Sequence, residues 1–145
     1  MDDAKPDIVV PDAPDDDDRA AVLAALVSYN DKAVGRAAGY QPLAILIKDP
    51  DTQATIGGLW GRMAYDWLFV EYFVIPDQFR AQHLGSKILA QAEEMARSRG
   101  CIGVWLDTYS FQAPEFYKKQ GYEIFGTIDN YPKGFSRHYL QKVLV

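Results

Sequence analysis

Cysteine and histidine are nearly missing from this 145-residue sequence: Cys101 stands alone, and His83 and His138 lie far apart. An internal disulfide is therefore impossible, and a closed Cys/His zinc site is excluded. Nothing in the composition calls for a metal. Long apolar runs are missing as well. None approaches the roughly 20 residues of a membrane-spanning helix, and the opening Met1-Asp2-Asp3-Ala4 lacks the basic start of a secretory signal. These absences point to a soluble cytoplasmic protein without a membrane partner. Positive charge is scarce: Lys and Arg number 15 against 20 Asp and Glu, a net charge of −5. The imbalance is concentrated in residues 1–18, which hold eight Asp and, as their only basic side chain, Lys5. The other 127 residues carry 14 basic and 12 acidic groups. Overall acidity argues against a nucleic-acid partner, while the nearly balanced body is free to hold a local anion site.

What is present suits one compact domain, since 145 residues with 48% hydrophobic content can build a core. Residues 1–17 read as an acidic segment in which Ile8, Val9 and Val10 form an edge strand, and residues 18–145 as the domain itself. Apolar residues at three- and four-residue spacing from Asp18 to about residue 34, among them Val22, Leu26 and Tyr29, predict an amphipathic helix closed by Gly35. Residues 43–48 and 54–62 are β-prone runs split by a Pro- and Asp-containing turn, a hairpin signal. Residues 67–75 are almost continuously apolar and aromatic, the pattern of a strand buried on both faces. Residues 85–99 then read as a helix with Ile88, Leu89, Ala92, Met95 and Ala96 facing the core and Lys87, Gln91, Glu93 and Glu94 elsewhere. A strand begins at Cys101, a short helix opens at Pro114, and residues 122–128 and 137–145 form a closing hairpin. The order gives an α/β (α+β) fold with a mixed, mostly antiparallel sheet.

Chemistry concentrates where the strand at residues 67–75 leads through a loop into the helix at Gly85. Free backbone N–H groups and the positive end of the helix dipole converge there, which suits a phosphate or pyrophosphate. No G-x-G-x-x-G is present. A Walker loop would need Gly where Arg80 stands and Lys where Ser86 stands.

The segment Arg80-Ala81-Gln82-His83-Leu84-Gly85 resembles the pyrophosphate loop of the GCN5-related N-acetyltransferase (GNAT) family, Arg/Gln-x-x-Gly-x-Gly/Ala, with His83 in place of its first glycine. A second block follows in order: Ala113-Pro114-Glu115-Phe116-Tyr117-Lys118-Lys119-Gln120-Gly121-Tyr122 is similar to the family's A-x-x-x-Y-x-x-x-G-F/Y ending. Ser110 stands where an Asn is often found. The resemblance covers residues 67–127 closely.

The resemblance implies a GNAT-like sheet with flanking helices and a splayed parallel pair, residues 67–75 and 101–109, that admits acetyl-coenzyme A (acetyl-CoA) as cosubstrate. Its pantetheine arm would pair like a strand with backbone groups of Phe73, Val74 and Ile75. Amides of Gln82, His83, Leu84, Gly85 and Ser86 would hold the pyrophosphate, with Arg80 and Ala81 leading into that loop and Ser110 offering a further polar contact.

Transfer to an amine requires that the amine lose a proton, because an alkylammonium with a pKa near ~10.4 is no nucleophile. Glu71 is the only carboxylate within residues 67–75 and is the candidate base; strand parity would put it on the face of Phe73 and Ile75. Asp66 is a weaker candidate. The family's usual acid falls on Tyr117, whose phenol would protonate the departing thiolate. A backbone N–H near Phe73 would stabilise the developing oxyanion, a contribution of about 3 to 4 kcal/mol for donors of this kind. Cys101 reads as a small buried apolar group and not a nucleophile. Trp60, Trp67, Tyr72 and Tyr29 read as core, with one or two of them walling an acceptor pocket. Acetylation of a small-molecule primary amine in a ternary complex is the function these features predict. The alternatives are a protein N-acetyltransferase, a non-catalytic acyl-CoA sensor, and a homodimer formed through the edge of the terminal hairpin.

Overall fold

The computed structural model describes residues 4–144, which divide into two compact units, one up to Ala38 and one from Gly39 onward. In the first unit, helix α1 (Asp16–Val34) starts where the Asp15 side chain accepts the Asp18 N–H at 2.8 Å. Asp16, Asp17 and Asp18 then occupy the first turn, where the helix dipole favours negative charge. Gly35, at φ 83°, provides the left-handed residue that ends it. Two expectations for this unit are corrected. Ile8, Val9 and Val10 form no strand and are 94%, 75% and 90% exposed, because no neighbouring strand supplies their backbone with a ladder. Tyr29, expected in a core, is exposed on α1.

The second unit is a six-stranded sheet in the order β1-β2-β3-β4-β6-β5. Strands β1 (Gln41–Lys48) and β2 (Thr55–Ala64) form the expected hairpin. Its turn is organised by the Asp49 carboxylate, which accepts the Asp51 and Thr52 N–H groups at 2.9 Å. Strand β3 (Trp67–Val74) returns antiparallel to β2 through Tyr65 and Asp66, both at positive φ as a two-residue hairpin turn with right-handed strand twist requires. A 3-10 turn (Asp77–Gln82) leads into α2 (Leu84–Ser98), which crosses over to β4 (Gly103–Tyr109), parallel to β3. Helix α3 (Pro114–Lys119) follows, then β5 (Glu123–Asp129) and β6 (Ser136–Val143) close the sheet antiparallel to each other. The mixed, mostly antiparallel sheet with one parallel pair is the predicted architecture. No helix among the described residues is long and apolar enough to cross a membrane.

The core of this unit lies between the sheet and helices α2 and α3. Ile88, Leu89, Ala92 and Ala96 of α2 and Tyr117 of α3 join Leu43, Leu59, Leu68, Val104, Leu106 and Leu140 in one buried cluster. Gly103 is required where β4 begins beside Trp67, since a β-carbon there would overlap the indole ring. Strand β3 is not buried on both faces as expected. Leu68 and Val70 face the helices and are buried, whereas Tyr72 on the other face is 70% exposed and its cross-strand partner Trp60 is 46% exposed. An apolar aromatic run satisfies a one-sided strand as well as a two-sided one, because rings bury part of their area on each other. Glu93, expected off the core side, is also corrected. It is buried in α2, accepts the Tyr122 hydroxyl at 2.7 Å and pairs with Lys142 at 2.9 Å.

Candidate functional site

The site is built on a break in the sheet. Parallel pairing of β3 with β4 runs from Trp67↔Gly103 to Val70↔Leu106 and stops, yet β3 continues to Val74 and β4 to Tyr109. Beyond Leu106, β4 stays paired with β6, and from Tyr72 onward β3 stays paired with β2. The two strands therefore part, each held by its outer neighbour, and leave backbone groups of residues 71–74 facing a gap.

Glu71 sits where the gap opens, and the register explains its orientation. Trp60 pairs with Tyr72 while Gly61 pairs with Val70, so Glu71 is the extra residue of a β-bulge. Side-chain alternation flips across it: Leu68 and Val70 are buried against the helices, and beyond the bulge it is Phe73, not Tyr72, that packs on the same core. Glu71 meets Arg62 at 3.6 Å, and the Arg62 guanidinium lies 5.4 Å from the Phe69 ring centroid on the opposite face. The expected parity of Glu71 with Phe73 and Ile75 is thus overturned by the bulge. Asp66, in the β2–β3 turn, lies at the other end of β3, about 16 Å away at 3.3 Å per residue.

On the helix side, Phe73 is in ring contact with Phe116 and Tyr117, centroids 6.2 and 6.4 Å apart. Tyr117 is buried, and burial, reinforced by the negative charge of Asp107, pushes its phenol up to about 12. Its hydroxyl makes no hydrogen bond among the described residues. Tyr122 differs: its phenol is raised further by burial and by Glu93, to which it is bonded, so it belongs to the structural Tyr122–Glu93–Lys142 network. Cys101 is buried and its thiol is pushed up by desolvation, then by Asp66, which leaves it unactivated.

The loop entering α2 takes the shape that its sequence makes costly. His83 adopts φ 56°, ψ 29°, the left-handed conformation that glycine would enter freely, so the chain turn is retained with a β-carbon present. Its carbonyl accepts the Ser86 hydroxyl at 3.1 Å. No side chain caps the first turn of α2 and no acidic residue lies in it, so the amides at Leu84, Gly85 and Ser86 meet no competing protein anion. Gly85 occupies a packing position. The direction of its missing β-carbon points at the Phe116 ring, 3.3 Å away, and towards Ile75, which locks α2 against α3 and β3.

Other predicted contacts are less well placed. Arg80 is exposed, donates to the Ile75 carbonyl at 3.3 Å and pairs with Asp77 at 3.1 Å, so one lone pair of Ile75 is already used. Ala81 and Gln82 are exposed in the 3-10 turn, and Val74 is 54% exposed on the face away from Phe73. Ser110 exchanges backbone and side-chain hydrogen bonds with Ser136, its oxygen accepting the Ser136 N–H at 3.0 Å, which leaves it its proton and one lone pair.

The sequence reading passed over Asp107 and Arg137. Asp107 is the first β4 residue beyond the last parallel pair, and Arg137 of β6 donates to its Oδ1 from Nε at 2.9 Å and contacts it from Nη2 at 2.8 Å. That pairing, first among its causes, holds the guanidinium well above its ordinary range. The signal that marked Glu71, a lone carboxylate in a largely apolar strand, was equally present for Asp107.

A helix entered from one of two diverging parallel strands, with a phenol on one face and a carboxylate on the other, is an arrangement that acyl-group transferases use. The comparisons carry this to a family. The family model described as Acetyltransferase (GNAT) family matches residues 3–122. An acetyltransferase of Agrobacterium fabrum is 35% identical over 134 residues, covering 92% of this chain and 96% of its own. Blasticidin-S acetyltransferase of Streptomyces morookaense is 42% identical over 89 residues, 61% of this chain and 65% of its own. Among solved structures, an acetyltransferase from Bacillus cereus superposes with a TM-score of 0.81 at 27% identity, covering 93% of this chain and 97% of its own. The chain belongs to the GNAT acetyltransferase family, whose cosubstrate is acetyl-CoA.

Proposed function

We propose that this protein transfers the acetyl group of acetyl-CoA directly to a primary amine of a small molecule, with Glu71 as base and Tyr117 as acid. The observation that carries this reading is the end of parallel pairing at Val70↔Leu106, which opens a gap flanked by Glu71 on one face and Tyr117 on the other. The similarity to blasticidin-S acetyltransferase, whose named acceptor is a small molecule, supports a small acceptor.

The residues present fit the cosubstrate. Amides of residues 82–86 at the start of α2 would hold its pyrophosphate, and backbone groups of Phe73, with the Ile75 N–H, would pair with its pantetheine arm. When bound, the thioester supplies an acetyl carbon open to attack and a thiolate leaving group. Glu71 takes the proton of the incoming ammonium, directly or through water, since only the neutral amine attacks. The Phe73 N–H polarises the thioester carbonyl. Tyr117, protonated throughout the neutral range, gives its proton to the sulfur as the C–S bond breaks. No covalent acyl-enzyme is needed, and the buried, unactivated Cys101 is consistent with that.

The test is to mix the protein with acetyl-CoA and a panel of primary amines and follow free thiol. Amine-dependent thiol release supports the reading. Coenzyme binding without release on any acceptor favours a sensor instead.

A further inference from the structure

Two carboxylates occupy equivalent places at the opening. Glu71 follows the last paired residue of β3, and Asp107 follows the last paired residue of β4. Each has an arginine from the strand beyond it, Arg62 of β2 and Arg137 of β6, but the two pairs are held very differently. Arg62 is 54% exposed and stands 3.6 Å from Glu71, a loose contact. Arg137 is clamped: its guanidinium lies 5.0 to 5.5 Å from the ring centroids of Tyr131, Tyr109 and Tyr139, and its Nη1 donates to the Tyr131 hydroxyl at 2.9 Å.

The clamp has a consequence for Asp107. Both of its contacts with Arg137 go to Oδ1, and Oδ2 has no hydrogen-bond partner among the described residues. The Asp107 side chain is 16% exposed, and its Oδ2 reaches the surface, where it is open to a ligand donor. Asp107 lies at the opening, one residue beyond Leu106, whose partner Val70 immediately precedes Glu71.

We propose that Asp107 is a specificity-determining residue whose Oδ2 accepts N–H donors from a second, positively charged group on the acceptor, so that the preferred substrate carries two cationic nitrogens, one acetylated beside Glu71 and one held by Asp107. This rests on the acetyltransferase reading above. It divides the labour of the two carboxylates: the loosely paired one moves a proton, and the rigidly oriented one, fixed by Arg137, selects. One base suffices for one amine, which leaves the second carboxylate available for recognition.

The experiment compares α,ω-diaminoalkanes of three to six carbons with the alkylmonoamines of equal length, on the whole chain. Both kcat/KM and calorimetric binding to the coenzyme A-bound protein are measured. The expected result is a preference of at least tenfold for a diamine in both measurements. In Asp107→Asn the amide oxygen can still accept from Arg137 while a donor replaces Oδ2, and the diamine-to-monoamine ratio falls at least tenfold, mainly through the KM of the amine. Equal affinity for diamines and monoamines in the unaltered protein overturns the proposal and leaves the acetyltransferase reading standing, provided monoamines release thiol. A preference that survives Asp107→Asn also overturns it. Absence of thiol release with every amine, alongside intact coenzyme binding, counts against both readings. Should Asp107→Asn fail to fold, the comparison in the unaltered protein decides by itself.

Discussion

Tyr117 and Glu71 lie on opposite faces of the sheet, so the roles proposed for them separate experimentally. Tyr117→Phe keeps the ring that packs on Phe73 and Phe116 and removes only the proton donor. It is expected to lower kcat by roughly 100- to 1,000-fold, in the lower part of the range of acid–base contributions. Acetyl-CoA affinity, measured by calorimetry, should move less than twofold. Because burial raises this phenol to about 12, activity should show no loss from Tyr117 ionisation near pH 10, where an ordinary tyrosine titrates. The sign for stability follows the same shift. A phenol raised in the folded state contributes stability that is full below about pH 10, and that stability is lost as pH rises through 12. Glu71→Gln should cost most at low pH, where few amines are already neutral, and progressively less as pH approaches the amine's own pKa; a pH profile parallel to the unaltered protein would remove Glu71 as base. At this scale the sequence was informative about which residues matter and silent about where they point. Glu71 stood out as a carboxylate in an apolar strand, but its face depends on a bulge set by pairing with β2, a non-local fact. Glu93 was misjudged for a similar reason: the partners that let it be buried, Tyr122 and Lys142, lie 29 and 49 residues away.

The elements were legible where periodicity and punctuation agree. The α2 face, the Asp-led start of α1, the β1–β2 hairpin and the Pro-led α3 all follow from local chemistry. The short run of Ile8, Val9 and Val10 lacked such agreement, since a strand needs a neighbour that composition cannot supply. Nor does an aromatic run reveal whether one face or two are covered, which is why β3 was expected to be buried on both. The parallel pair itself depends on one small residue. Gly103 lets the Trp67 ring lie across the start of β4, at the end of the pair away from the splay. Gly103→Ala is expected to destabilise the protein by about 1 to 3 kcal/mol, as overpacking does, measured by denaturant midpoint. A stability within about 0.5 kcal/mol of the unaltered protein, the size of a surface substitution's effect, would show that Trp67 moves aside freely.

For the molecule as a whole, the decisive arrangement is a sheet whose one parallel pair among the described residues is also the pair that comes apart. Two ordered motif blocks made the family recognisable, and the match of the family model over residues 3–122 agrees with it. What the blocks did not carry was the face proposed for the acceptor: Arg62, Asp107, Arg137 and the tyrosines around Arg137 come from β2, β4, β6 and the β5–β6 turn and meet only in the folded sheet. The most direct test of the central arrangement is amide hydrogen exchange with and without acetyl-CoA. The account predicts new protection at Phe73 and Ile75 and across residues 82–86, with the β1–β2 hairpin unchanged. Protection confined to other segments, or none at saturating acetyl-CoA, would contradict it.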